Sequence, residues 1–337
     1  MKKITLLLLG LLMITSASAY DFMVDGLAYN INEDSTSVSV TYLSQYDFHN
    51  YEGIIEIDVP AEVVYQGNTY TVTKIGEKAF NCCPDLQKIS LANTVTSVGR
   101  WAFDSCNKLE DIDLGSVKQL ARAAFQYDKI LQSITIPEGV ECLDTLLFQS
   151  CISLSNVKLP TTLKELQRSA FYGCKSLVSI DLPPSLAVIG DHAFSMCSAL
   201  SSVTLPKSLE TIETNVFYGC NSMTSLYSRI KTPQTVYCNN NAFTDIPKSF
   251  CTLYIPQGTI YSYLATSPWN EFLHIMEMAK PDINWDGAIT ATDVTALYDK
   301  LLGNAVHDDW DYDINGDGTV AAVDVTAVYN ILLGNGN

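Results

Sequence analysis

Two stretches of the chain carry oxygen-bearing side chains at the same spacing. DINGDGTVAAVD covers residues 313–324, and DINWDGAITATD lies 31 residues earlier, at 282–293. In each stretch, carboxylate or amide side chains occupy positions 1, 3, 5 and 12, and glycine occupies position 6. Oxygen ligands that converge from a 12-residue loop suit Ca²⁺, whereas the loops hold no soft ligand for zinc or copper.

This spacing predicts two calcium ions, one in each loop. The glycine at position 6 permits the positive φ that the turn requires, and position 7 contributes its backbone carbonyl. The predicted calcium ligands are Asp282, Asn284, Asp286, Ala288 and Asp293 in the first loop, and Asp313, Asn315, Asp317, Thr319 and Asp324 in the second.

Each loop is followed by an apolar tail, VTALYDKLLG or VTAVYNILLG, that predicts a short helix ending at a glycine C-cap. A helix of about ten residues is marginal on its own. The surrounding segment is also acidic, because residues 281–337 contain ten Asp, no Glu and one Lys. We therefore predict that calcium binding is coupled to the folding of this C-terminal module.

The duplicated loop and helix resemble the type I dockerin domain, in which Asp stands at position 12 and no helix precedes the loop. The resemblance implies calcium-dependent binding to a cohesin domain of a scaffold protein, within a cellulosome-like assembly that degrades polysaccharide. In that family, positions 10, 11, 17 and 18 help to choose the cohesin. These positions are Ala291, Thr292, Tyr298, Asp299, Ala322, Val323, Tyr329 and Asn330. They are less polar and less basic than is common in the family.

The elements upstream form a ladder of repeats. Phenylalanine recurs with spacings of 23, 22, 23, 23, 23 and 23 residues, at Phe80, Phe103, Phe125, Phe148, Phe171, Phe194 and Phe217. Each unit contains a short alternation such as VSIDL, which predicts one strand per unit. Because no unit can bury its apolar side alone, we predict a right-handed solenoid of parallel strands about 4.8 Å apart.

The unit LVSIDLPPSLAVIGDHAFSMCSA, at 177–199, resembles the BspA-like leucine-rich repeat, and the resemblance covers about residues 70–230. The predicted fold is thus a β-rich leucine-rich-repeat solenoid with a small β N-terminal cap and a small all-α calcium-binding dockerin. The predicted domains are a signal peptide at 1–19, the cap at 20–70, the solenoid with its closing unit at 71–278, and the dockerin at 279–337.

The start of the chain has the grammar of a secretory signal peptide, with Lys2 and Lys3 followed by an apolar run and then Ala17-Ser18-Ala19. The apolar run, residues 4–14, is shorter than the roughly 20 residues that span a membrane. We therefore expect a secreted, extracellular protein with no transmembrane segment, for which a scaffold offers a route to association with the cell surface. The net charge of −17 argues against nucleic acid as a partner.

Ten cysteines in an exported chain would ordinarily indicate a disulfide framework. Six of them instead lie three residues after a ladder phenylalanine, and Asp128 holds that position in the remaining unit. A small, readily buried thiol fits one position in each rung, so we expect mostly free cysteines. Cys82, Cys142, Cys238 and Cys251 lie off the ladder, and Cys238 with Cys251 is the best candidate for a disulfide.

Nothing in the sequence predicts catalysis. The chain has four histidines and lacks a zinc-protease motif, a nucleophile elbow and a phosphate-binding loop. Asp111 and Asp113 fall on the outer face of one strand, but we expect a flat face without aromatic residues. We predict a non-catalytic solenoid whose face binds a protein ligand or is simply solvated. The alternatives are a BspA-type adhesin that binds host matrix or other cells, and an accessory polysaccharide-active enzyme.

Overall fold

The computed structural model describes residues 19–44, 51–278, 282–284, 288–304, 312–314 and 319–333 of the 337-residue chain. Its first six strands are β1 Phe22–Val24, β2 Leu27–Ile31, β3 Ser37–Thr41, β4 Glu56–Val59, β5 Glu62–Tyr65 and β6 Asn68–Ile75. Strands β1, β2 and β3 pair in antiparallel order, and β3 then pairs in parallel with β6. The antiparallel start therefore covers the first edge of a parallel array.

Sixteen further strands belong to two columns that run along the solenoid. They are β7 Lys88–Leu91, β8 Ser97–Val98, β9 Asp111–Asp113, β10 Gln119–Leu120, β11 Ser133–Thr135, β12 Cys142–Leu143, β13 Asn156–Lys158, β14 Glu165–Leu166, β15 Ser179–Ile180, β16 Val188–Ile189, β17 Ser202–Leu205, β18 Thr211–Ile212, β19 Ser225–Ser228, β20 Tyr237–Cys238, β21 Thr252–Pro256 and β22 His274–Met278. Odd-numbered strands and β22 continue from β4, and even-numbered strands continue from β6, with parallel pairing.

The predicted parallel solenoid is confirmed, although each rung contains two strands and not one. The second strand is only two residues long and corresponds to the short apolar pair of each repeat, as in Val188–Ile189. In most strands of both columns, residues that point into a continuous core alternate with residues that face outward, as in the sequence Asp111, Ile112 and Asp113.

The ladder phenylalanines form the third side of the core. Seven rings, from Phe80 to Phe217, are fully buried and stack with centroids 5.3–5.8 Å apart. Phe243 continues the stack at 6.3 Å from Phe217. This rung was not predicted because three extra residues make its spacing 26, although the Ala-Phe pair at 242–243 was a usable signal.

All ten cysteines are free thiols. From the second rung on, each ladder Sγ donates to the carbonyl of the phenylalanine of the preceding rung, as from Cys174 to Phe148 at 3.2 Å and from Cys197 to Phe171 at 3.1 Å. Burial raises the pKa of these thiols well above its ordinary value. The predicted Cys238–Cys251 disulfide is wrong, because Cys238 belongs to one column while Cys251 directly precedes a strand of the other.

Asp128 replaces the ladder cysteine in one rung and is fully buried. Its Oδ1 accepts the Cys106 N–H at 2.8 Å, and its Oδ2 has no partner within the described residues. Burial, with smaller contributions from Cys106 and Asp104, raises the pKa of Asp128 well above its ordinary value. Burial therefore favours the neutral, protonated form of this carboxyl group.

We expect Asp128→Asn to stabilise the protein at neutral pH. Above about pH 4 the unfolded chain releases a proton that folded Asp128 retains, so wild-type stability falls as pH rises towards the folded pKa. The stability gained by the variant should grow by up to about 1.4 kcal/mol per pH unit over that window. Urea unfolding of both proteins between pH 4 and pH 8 measures this difference.

Asp85 is the matched control for this experiment. It is a half-buried carboxylate whose pKa is lowered by its hydrogen bonds with Lys108 and the Gly53 N–H. The stability deficit of Asp85→Asn should therefore develop as pH rises towards about 4 and stay nearly constant between about pH 5 and pH 8. If the difference in unfolding free energy between Asp128→Asn and the wild type does not change with pH, Asp128 does not retain its proton in the folded protein.

The end of the chain is helical. Helix α1, Ile260–Leu264, packs on the last rung. Helices α2, Ala291–Leu301, and α3, Ala322–Leu332, pack together in the C-terminal module. Two 3₁₀ turns lie at Pro233–Thr235 and Trp269–Glu271. In the part of the chain that the structure describes, none of the helices combines the length and the apolar character needed to cross a bilayer.

Candidate calcium and partner-binding site

The two acidic loops of the C-terminal module are built alike. In the first, the fully buried Asp293 carboxylate accepts the Ile283 N–H at 2.7 Å through Oδ1 and the Thr290 N–H at 2.8 Å through Oδ2. This side chain therefore joins the start of the loop to the first turn of α2. Thr290 also caps α2, since its Oγ1 accepts the Thr292 N–H at 3.2 Å.

The second loop repeats this arrangement. Asp324, also fully buried, accepts the Ile314 N–H at 2.8 Å through Oδ1 and the Ala321 N–H at 2.8 Å through Oδ2. Ala321 replaces the capping threonine of the first loop and has no side-chain acceptor. Both position-12 carboxylates therefore hold their loops closed, a role that the ligand pattern alone did not predict.

A small apolar core positions the two loops. Ile283 and Ile314 at position 2 of each loop pack with residues of both helices, and the buried members of this core are Ile283, Val294, Leu297, Tyr312, Ile314, Val325 and Val328. Lys300 lies over the Tyr312 ring at 5.4 Å. Both loops and both helices contribute to this one core, and this explains why isoleucine and valine recur at equivalent positions of the two repeats.

The predicted calcium ligands in the described residues are consistent with a cation. Asp282 is buried, as are Asp293 and Asp324, and Asp313 is half-buried. Several carboxylates in so small a core are costly unless a cation compensates their charge. Their hard oxygen donors, with the carbonyls of Ala288 and Thr319, match the preference of Ca²⁺.

Part of the predicted ligand set is not described. Asp286, Asn315 and Asp317 lie outside the described residues. Within those residues, no three acidic, histidine or cysteine side chains form a metal-binding cluster. The ligand set therefore stays a prediction.

All eight predicted partner-contacting residues lie on the solvent side of α2 and α3. Tyr298 and Tyr329 are nearly half exposed, and Ala291, Thr292, Asp299, Ala322, Val323 and Asn330 are also exposed. The structure adds four exposed leucines that we had not predicted: Leu301, Leu302, Leu332 and Leu333. The Leu-Leu-Gly at the end of each tail was the available signal, since an apolar pair in the last turn of an eleven-residue helix need not face a small core.

The outer face of the solenoid differs from the flat surface that we predicted. A depression of about 680 Å³ crosses rungs from Asp111 to Asp181, and its lining also includes Leu159, Thr161, Pro183 and Pro184. Asp113 accepts the Gly115 N–H at 2.9 Å, and Asp111 pairs with Lys88 at 3.7 Å. Tyr227 and Tyr254 also stack on this side, so aromatic residues are present near its C-terminal end.

Two of the four histidines can be assigned a role. His192 Nδ1 lies 3.0 Å from the Ser195 Oγ, but that hydroxyl is buried and donates to the Asn215 carbonyl at 2.6 Å. This pair therefore supports a turn and leaves no accessible nucleophile. His274 contacts the Ser249 carbonyl at 3.2 Å. His49 and His307 lie outside the described residues.

Solved structures show the same solenoid. A leucine-rich repeat protein from T. pallidum is 27% identical, with a TM-score of 0.52, over 60% of this chain and 90% of that one. A leucine-rich cell surface protein from Faecalibacterium prausnitzii A2-165 is 24% identical, with a TM-score of 0.47, over 69% and 75%. A leucine-rich repeat protein from Bacteroides ovatus is 23% identical, with a TM-score of 0.41, over 77% of each chain. No curated protein matches the sequence.

Family models match both parts of the chain. The BspA type leucine rich repeat region matches in 6 copies over residues 68–151 and 118–249, and the dockerin type I domain matches residues 280–333. Type I dockerin domains bind calcium and partner with cohesins, and leucine-rich repeats are protein-binding modules. The chain belongs to the BspA type leucine-rich repeat proteins and carries a type I dockerin domain at its C-terminal end.

Proposed function

We propose that this chain is a secreted, non-catalytic protein that its dockerin attaches to a cohesin of a scaffold in a cellulosome-like, polysaccharide-degrading assembly. The carrying observation is the duplicated loop and helix, in which Asp293 and Asp324 make the same pair of backbone contacts. The solenoid then presents an interaction surface away from the attachment point.

Two calcium ions would complete the module. Their ligands would be the side chains of Asp282, Asn284, Asp286 and Asp293 with the Ala288 carbonyl, and those of Asp313, Asn315, Asp317 and Asp324 with the Thr319 carbonyl. The ions would balance the buried carboxylates, while the chain's own hydrogen bonds fix the entry into each helix. Removal of the ions would therefore disrupt the first turns of α2 and α3 before the rest of these helices.

The cohesin-binding face is mostly uncharged. Its two halves are related by the 31-residue repeat, with Tyr298 equivalent to Tyr329 and Leu302 equivalent to Leu333. Asp299 is the one charged residue among the eight predicted contacts, and its equivalent is Asn330. A cohesin that fits this face should present an apolar surface, and the similarity of the halves permits binding in two orientations.

Calcium-dependent capture of a cohesin tests the attachment. We expect the full chain to retain a cohesin-bearing scaffold protein in calcium and to release it in EGTA. Replacing both Tyr298 and Tyr329 with alanine should weaken retention by about tenfold or more, since exposed aromatic residues commonly dominate interfaces. Tyr261→Ala, at an exposed tyrosine of the solenoid, is the control. Failure to retain any cohesin in calcium would refute the docking proposal.

Hydrolysis assays test the non-catalytic part. The depression that contains Asp111 and Asp113 is the place where two carboxylates could act on a sugar. We expect no sugar release from a panel of polysaccharides. Release that disappears in Asp111→Asn/Asp113→Asn would overturn this part of the proposal without affecting the docking part.

A further inference from the structure

Arginines are concentrated on one side of the solenoid. Three of the four in the chain, Arg100, Arg122 and Arg168, occupy the same repeat position, three residues before a ladder phenylalanine. Thr145 holds that position in the rung between Arg122 and Arg168. Since rungs are about 4.8 Å apart, these residues form a line along the solenoid, which we name the arginine stripe (Arg100, Arg122 and Arg168).

The guanidinium groups of the stripe have no partner among the residues that the structure describes. Within the described residues, none of the three forms an ion pair or a side-chain hydrogen bond. This is unusual in a chain with a net charge of −17, where acids are plentiful. Elsewhere in the solenoid, acidic side chains pair with lysines, as Asp85 does with Lys108 at 2.8 Å and Glu141 with Lys164 at 3.0 Å.

Nearby acids do not neutralise the stripe. Glu77 and Asp191 occupy the equivalent position on the rungs that bound it. Asp144, beside Thr145, accepts the Thr145 N–H at 2.6 Å. Glu77 and Asp191 adjoin Arg100 and Arg168, so the positive charge is centred on Arg122, whose neighbours at the equivalent position are Arg100 and Thr145.

A depression of about 540 Å³ lies between Arg122 and Arg168. Thr145, Gln149 and Tyr172 line it with hydroxyl and amide groups. Gln149 accepts the Gln126 amide N–H through Oε1 at 2.8 Å. This hydrogen bond does not use the Gln149 Nε2 hydrogens. The site thus combines two guanidinium groups with neutral donors, a set that suits carboxylate or sulfate groups.

We propose that the arginine stripe binds the carboxylate or sulfate groups of an acidic polysaccharide. Arg122 and Arg168 are two rungs, about 10 Å, apart, so they can contact charged groups on alternate units of one extended polysaccharide chain. An extended acidic peptide presents same-side residues about 6.7 Å apart, which does not match the rungs. Apart from Leu146 and the Tyr172 ring, the residues that line the depression are polar or charged.

Binding of the full chain to defined polymers tests this proposal. Polygalacturonate and dextran sulfate distinguish carboxylate from sulfate, dextran is the neutral reference, and poly-L-glutamate represents an acidic peptide. Measurements in EDTA exclude calcium bridges to the acidic dockerin. We expect binding to at least one acidic polysaccharide, weaker at high salt because exposed charges are screened.

The decisive variant is Arg122→Gln/Arg168→Gln. It should bind about tenfold more weakly, with an unchanged thermal midpoint, because the lost groups contact only the ligand. Lys129→Gln/Lys175→Gln changes the net charge equally at exposed positions off the stripe and should bind as the wild type does. Equal weakening in both variants, an unaffected arginine variant, or equal binding of dextran or poly-L-glutamate would each overturn the proposal.

Discussion

Removal of calcium from the full chain is expected to unfold the C-terminal module and to leave the solenoid folded. The module has a core of seven buried apolar residues, and α2 and α3 are eleven residues each. Helices of this length are marginal without tertiary support. Without calcium, the buried carboxylates of Asp282, Asp293 and Asp324 would also lose their compensating charge.

Circular dichroism can follow this change because most helix in the described structure belongs to the module. The solenoid contributes only the five-residue α1. EGTA should therefore remove most of the helical signal near 222 nm, and the addition of excess calcium should restore that signal. Hydrogen exchange should show protection lost in residues 282–333 and retained at ladder positions. Helical signal that persists in EGTA would contradict the coupling of folding to calcium.

Position 12 offers a second route to the same result. Asp293→Asn/Asp324→Asn keeps side chains of similar size and retains one oxygen to accept a backbone N–H. The double variant should need much higher calcium to fold, since each loop loses a charged ligand. Asp299→Asn, an exposed change on α2, should leave the calcium requirement nearly unchanged.

Phe171→Ala is expected to destabilise the solenoid by about 3–5 kcal/mol. Phe171 is fully buried and stacks at 5.4 Å on Phe148 and 5.5 Å on Phe194. Its removal leaves a cavity in the middle of the array, where each rung is supported only by its neighbours. The cavity therefore weakens the contact between the two halves.

Denaturant unfolding monitored in calcium measures this loss. Phe250→Ala is the control, because that ring is 78% exposed and its removal should change stability by less than about 0.5 kcal/mol. A loss of less than about 1 kcal/mol for Phe171→Ala would show that the stacked rings are not the main support of the central rungs.

Periodicity explains which features could be predicted. The phenylalanine spacing predicted the solenoid because one buried residue per rung must recur at a fixed interval. Phe243 was missed since an insertion broke that interval, while the buried ring stack continued. The second column was underestimated because a two-residue strand such as Val188–Ile189 is too short to show alternation.

Surface features were harder to predict than core features. Outward residues vary without altering the fold, so the depression beside Asp181 and the stacked Tyr227 and Tyr254 had no periodic signal. The buried role of Asp293 was missed for a different reason. A ligand pattern identifies oxygen atoms but does not say which backbone groups those atoms also hold.

The thiol ladder has a consequence for how such a protein can change in length. Each ladder cysteine after the first donates to a main-chain carbonyl of the rung before it, as Cys220 does to Phe194 at 3.2 Å, and needs no second cysteine. A gene duplication that adds one rung therefore adds one thiol with its acceptor already in place. An array whose cysteines pair in disulfides would be left with one unpaired cysteine. Odd and even numbers of repeats are equally compatible with export through an oxidising compartment.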